Sequence, residues 1–163
     1  SKVEISSYEQ SIKADKKILD EWVSFSEEGQ KQELFISKLE KAVLKVNHKQ
    51  FSKKKKLISS ESYRVYGTEV GEYDIFNIEN KDKDKYYFAK YGWTGKNEIY
   101  IQYIDADYMG NNFKEDSVTT TNLRAFITEN VNNEKMYGEK IEFYRKHSPE
   151  YEKVRIFMRK SGF

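Results

Sequence analysis

Cysteine is absent from this chain of 163 residues, proline occurs once and histidine twice. Without cysteine there are no disulfides, no thiolate nucleophile and no Cys-ligated zinc. No run approaches the roughly 18 apolar residues of a membrane-spanning helix, and the opening SKVEISSYEQ lacks the basic leader and apolar core of a signal peptide. Gly-rich phosphate loop, nucleophile elbow and HExxH are all missing, so most enzyme classes have no motif to stand on. An excess of one charge is lacking too: 29 basic residues face 27 acidic ones, a net +2, which is too small a bias to argue nucleic-acid binding from bulk charge.

What remains is unusually aromatic. Only 37% of residues are hydrophobic, yet 15% are aromatic, including 13 Tyr and 10 Phe. The core must therefore lean on large rings. The length points to one domain spanning 1–163. Richness in Lys, Asn and Tyr matches AT-rich coding of bacterial, phage or mobile-element kind. A cysteine-free chain suits the cytoplasm; an exported domain of a tethered protein is the alternative, since residue 1 is Ser and a processed upstream segment would fit it.

Spacing divides the chain into a helical portion (1–50), a strand-rich one (57–106) and a mainly helical one (118–163). Ser6-x-x-Glu9 and Ser7-x-x-Gln10 have capping-box form. Tyr8, Ile12, Leu19, Trp22 and Val23 then recur at helical spacing, which predicts a helix over 6–28. Phe35, Leu39, Ala42, Val43 and Val46 predict another over 31–48. Four runs rich in Tyr, Ile, Phe and Val, at 62–67, 72–79, 86–93 and 98–105, predict an antiparallel meander joined by Gly, Asn and Asp turns. TTTNLRAFITENV predicts a helix capped at Thr120 or Thr121, and Ser148-Pro149-Glu150 starts a last one, with a final edge strand as its alternative. The expected fold is α+β: an N-terminal helical pair, a four-stranded antiparallel meander and a helical C-terminal tail.

Acidic residues give two weak metal candidates. Asp105 and Asp107 alternate at a strand end, a placement suited to clamping a divalent ion. As a calcium loop they fail, because Met109 and Asp116 stand where an oxygen ligand and a Glu are needed. Capping the turn through Gly110-Asn111-Asn112 is the favoured role. Asp74 with Phe88-Ala89-Lys90 approximates a nuclease of the restriction type, but Phe88 replaces the second acid. His48 and His147 fit helix C-termini beside cations. No catalytic residue and no cofactor is assigned.

Basic and aromatic features carry the functional expectation. Lys53, Lys54, Lys55 and Lys56 form a positive loop, and Arg155 and Arg159 share a face of the last helix. Between them the sheet offers Tyr87, Tyr91 and Trp93 among other rings, which could stack unpaired bases. The expected function is a non-enzymatic domain contacting nucleic acid through these residues. A protein–protein interaction module of a phage, plasmid or secretion system, using the Tyr-rich face, is the first alternative. A metal-dependent nuclease-like protein is the second.

Overall fold

Leu34 and Ile36, Leu44 and Val46, Tyr63 and Val65, Phe76 and Ile78 alternate with polar or outward residues, the period-2 signature of strands buried on one face. In the computed structural model, which describes residues 1–114 and 116–163, this alternation closes on itself. Strands β1 (Glu21–Phe25), β2 (Lys31–Lys38), β3 (Leu44–Phe51), β4 (Leu57–Val70), β5 (Tyr73–Asn80), β6 (Lys85–Gly95), β7 (Glu98–Tyr103) and β8 (Ile141–Arg145) form a closed barrel. Each strand is antiparallel to its sequence neighbours, and β8 returns to β1, with Trp22 opposite Arg145 and Val23 opposite Tyr144. Among the described residues, closure gives every barrel strand a neighbour on both sides.

The expected N-terminal helical pair is corrected. Residues 6–28 hold two 3-10 turns, Tyr8–Gln10 and Lys16–Ile18, followed by β1; residues 31–48 hold β2, a tight turn and most of β3. The apparent helical stripe mixed two environments: Phe35 points outward and is 45% exposed, whereas Leu34 and Ile36 are buried. Leu39 to Val43 are helix-forming residues bent into a hairpin turn, with the Leu39 amide donating to the Val43 carbonyl at 2.9 Å. Backbone partners on both flanks outweigh local propensity here. The capping-box serines do other work: Ser6 meets Thr68 through their hydroxyls, and Ser7 makes no side-chain cap.

The four expected strands are β4 to β7, but they continue into a barrel instead of forming an isolated meander. Within the expected mainly helical stretch 118–163, β8 occupies Ile141–Arg145. Three helices are present among the described residues: α1 (Ala106–Asn112), α2 (Thr120–Asn130) and α3 (Pro149–Lys160). Thr119 caps α2 in a reciprocal capping box with Asn122, one residue earlier than the pattern suggested. Ser148 caps α3 as expected, accepting from the Tyr151 amide at 3.1 Å.

Two cores result. Inside the barrel, Trp22, Leu34, Ile36, Phe76, Ile99 and Phe143 pack together with Ile18. Outside, Val70, Ile75 and Phe88 are covered by Leu123, Ile127 and Val131 from α2 and its C-cap, with Met136, Tyr137 and the N-terminal Ile5. Asn77, fully buried, fixes that N-terminal segment: its Oδ1 accepts from the Ile5 amide at 2.8 Å, and its Nδ2 donates to Thr68 Oγ1 at 3.0 Å and the Tyr66 carbonyl at 3.2 Å.

Candidate functional site: the barrel interior

Inward-facing side chains do not fill the barrel. They enclose a cavity of about 390 Å³ walled by Leu34, Ile36, Val46, Val65, Ile78 and Ile101, with Ala89 leaving room on β6. An eight-strand barrel is just wide enough either to fill with side chains or to hold one small ligand, and the small Ala89 helps to leave this one incompletely filled.

One end is shut. The Ile12 amide bridges to the Gly67 carbonyl at 3.0 Å, and the chain then crosses the barrel floor, placing Ala14 and Ile18 against the cavity. Trp22 Nε1 donates to the Ile18 carbonyl at 2.9 Å and locks the 3-10 turn in place. Arg145 lies over the indole and donates to Asp20 Oδ2 at 2.8 Å, Asn97 Oδ1 at 3.0 Å and the Lys17 carbonyl at 3.2 Å.

The other end is wet. Inward residues become progressively more exposed along β3, from buried Leu44 to exposed Gln50, and Tyr87 at the start of β6 is 43% exposed. This mouth lies at the turns β1–β2, β3–β4 and β5–β6. Its lining is polar: Gln32, His48, Gln50, Tyr63, Tyr87 and Tyr103. His48 Nε2 and Gln32 Oε1 are 2.9 Å apart. Tyr63 donates to Glu61, which Lys83 reaches from the β5–β6 turn at 2.6 Å. Burial lowers the His48 pKa, partly opposed by the Glu61 charge, and so favours the neutral imidazole. Hydrogen bonds from Lys83 and Tyr63 hold Glu61 below the usual carboxylate range. Burial raises the Tyr103 hydroxyl, and raises Tyr63 together with its bond to Glu61.

The residues singled out in the sequence scatter over this frame. Tyr87, Tyr91 and Trp93 share the inner face of β6, Tyr87 at the mouth and Trp93 near the floor, edge-on to Trp22 at 5.7 Å. Tyr87 and Tyr91 are cavity wall and Trp93 borders the hollow beside the floor, so the three rings do not form an outward stacking platform. Strand alternation sends Tyr66, Tyr86 and Tyr100 to the opposite face; Tyr100 lies over Gly92, where an added Cβ would come within 2.4 Å of the ring. Lys53 to Lys56 form the exposed β3–β4 turn, with Lys55 at φ 64°. Arg155 is paired to Glu152 at 2.8 Å, and Arg159 lies in the last turn of α3. His48 sits within β3 and His147 in the turn before α3, so neither ends a helix.

Asp105 and Asp107 belong to a helix start instead of a turn. Asp105 N-caps α1, its Oδ1 accepting from the amides of Asp107 at 2.8 Å and Tyr108 at 3.3 Å. Asp74 lies in a hollow beside the floor with Asp15, Tyr91 and Trp93, its pKa raised by burial and by Glu69. Among the described residues no group of three His, Asp or Glu is placed to hold a metal ion. Lys90 of the nuclease-like pattern turns away from Asp74's face, its Nζ 3.9 Å from the Tyr137 ring centre and 4.9 Å from that of Tyr73.

Sequence reasoning missed Gln32, His48, Gln50 and Tyr63 as a group. Their signal was parity: Gln32 stands two and four residues before Leu34 and Ile36, and His48 and Gln50 continue the every-second-residue series of Leu44 and Val46. No protein-family model, no curated protein and no solved structure matches this chain.

Proposed function

We propose that this protein binds a small, largely apolar molecule inside its barrel. The observation that carries this reading is the cavity of about 390 Å³, apolar at a closed floor and polar at an open mouth. It falls within the range of ligand pockets, and a few convergent polar groups on an apolar wall are their usual composition. Eight-strand barrels of the lipocalin kind hold a single ligand in this way. Burying a ten-carbon chain stabilises the complex by about 0.8 kcal/mol per CH₂ before association costs.

The test is uptake of N-phenyl-1-naphthylamine, a neutral probe that fluoresces in apolar surroundings. Saturation at one probe per chain is expected, and Ala89→Trp, which fills the lumen from β6, should remove it while circular dichroism stays unchanged. A wild-type barrel that takes up no probe, or a folded Ala89→Trp that takes up as much, overturns the reading.

A second reading is contact with an anionic polymer such as nucleic acid at the mouth end. It has one specific support: Glu28 lies 3.9 Å from Lys53, and Gly29 beside it packs against Phe163, so the lysine turn and the basic end of α3 meet at one rim. Binding of single-stranded DNA that weakens steeply with salt and is lost in Lys53–Lys56→Ala would support it. Salt-independent or undetectable binding would remove it.

A further inference from the structure

We infer that the cavity takes a neutral amphiphile, its apolar body toward the floor and an uncharged hydrogen-bonding head at the mouth, in preference to a carboxylate or an ammonium. This rests on the reading of the barrel as a ligand carrier and specifies the ligand's charge.

A buried carboxylate needs a cation or several donors, because burying an unpaired charge costs several kcal/mol. Two basic residues border the lumen, Lys90 and His48. Lys90 belongs to the wall, but its ammonium lies on the outer face between Tyr73 and Tyr137, 3.9 Å from Glu134, with the side chain only 8% exposed. His48 is bound to Gln32. Of the lysines at the mouth, Lys83 is engaged with Glu61 and Lys53 with Glu28, while Lys54, Lys55 and Lys56 stand on the exposed β3–β4 turn and do not line the cavity. Toward the floor, Asp15 and Asp74 stand near Tyr91, so the field there opposes an anion. An ammonium fares no better at the mouth, where Glu61 already accepts from both Lys83 and Tyr63.

A neutral head meets complementary groups. The Tyr87 and Tyr103 hydroxyls have no protein partner among the described residues, and both line the cavity. The Gln32 and Gln50 amides and the His48 ring lie on strands across from them. Each of these hydroxyls and amides both donates and accepts, which suits a hydroxyl, amide or carbonyl and leaves a formal charge uncompensated.

Displacement of bound N-phenyl-1-naphthylamine by decan-1-ol, decanoate and decylamine at pH 7.5 tests this with the ten-carbon body held constant. Decan-1-ol is expected to displace at a concentration at least about tenfold below either ion. If decanoate or decylamine displaces best, the carrier reading stands and this inference falls; if the wild-type chain takes up no probe, the carrier reading itself fails. The double variant Tyr87→Phe with Tyr103→Phe should weaken decan-1-ol by roughly threefold to tenfold with probe uptake intact. An unchanged decan-1-ol affinity in that variant overturns the placement of the head at the mouth.

Discussion

The Arg145 guanidinium lies 4.6 Å from the centre of the Trp22 ring and closes the seam between the last strand and the first. It is also the donor that holds the floor turn, through the Lys17 carbonyl and Asp20. One side chain thus joins sheet closure to cavity closure. Arg145→Ala should destabilise the fold by about 2 kcal/mol through lost packing and hydrogen bonds. Arg145→Lys should recover only part of this, because a single ammonium cannot serve several acceptors and an indole face together. Guanidinium unfolding midpoints measure both, and an Arg145→Ala midpoint equal to wild type would sink the latch.

Asn77 ties the N-terminal segment to the outer face of the barrel. Asn77→Leu strands the buried Ile5 amide and removes two further bonds, so a loss of about 2–3 kcal/mol is expected. Hydrogen exchange at Ile5 should accelerate more than exchange at Ile99, which lies in the interior core. Uniform acceleration at both positions would mean that Asn77 supports the whole fold and not that segment.

Acid should weaken the barrel through His48. Its folded pKa is lowered by burial, so the unfolded chain takes up the proton first. Stability is therefore complete above the ordinary imidazole value of about 6.5 and declines as pH falls below it, until the folded-state value is also passed. His48→Gln keeps an uncharged polar group opposite Gln32 and should flatten that part of the profile. Thermal melts from pH 7.5 to 5 on both proteins check the sign, and parallel profiles would show that other groups dominate.

Gly29 packs against the terminal ring. It adopts φ +88°, and an added Cβ would sit 2.2 Å from Phe163 Cδ1. Gly29→Ala should cost about 1–2 kcal/mol from the left-handed backbone and the clash together. Combining it with Phe163→Ala relieves only the clash, so the double variant should be less destabilised than the sum of the single variants. Strict additivity in urea denaturation would show that the ring simply moves aside.

The middle of the fold was legible because the β4 to β7 strands alternate Tyr, Ile, Phe and Val with clear turn residues between them. The starts of α2 and α3 were legible from Thr and Ser-Pro caps. The first three strands were not, since outward Phe35 and the turn residues Leu39 to Val43 imitate a helical stripe. Closure was beyond local reading, because it joins partners far apart in sequence. The site shared that fate: Tyr87, Tyr91 and Trp93 were noticed as rings, but which side of the sheet they face depends on the barrel closing around them.

The β1–β8 seam has a temporal consequence. Asp20 and Arg145 are separated by 125 positions, so β1 has no partner on one side until β8 has been synthesised. Contacts of such separation form slowly, after most loop-closure entropy has been lost. For that interval the nascent protein carries an unpaired hydrophobic ribbon, and its hazard is self-association on the ribosome, not instability once folded.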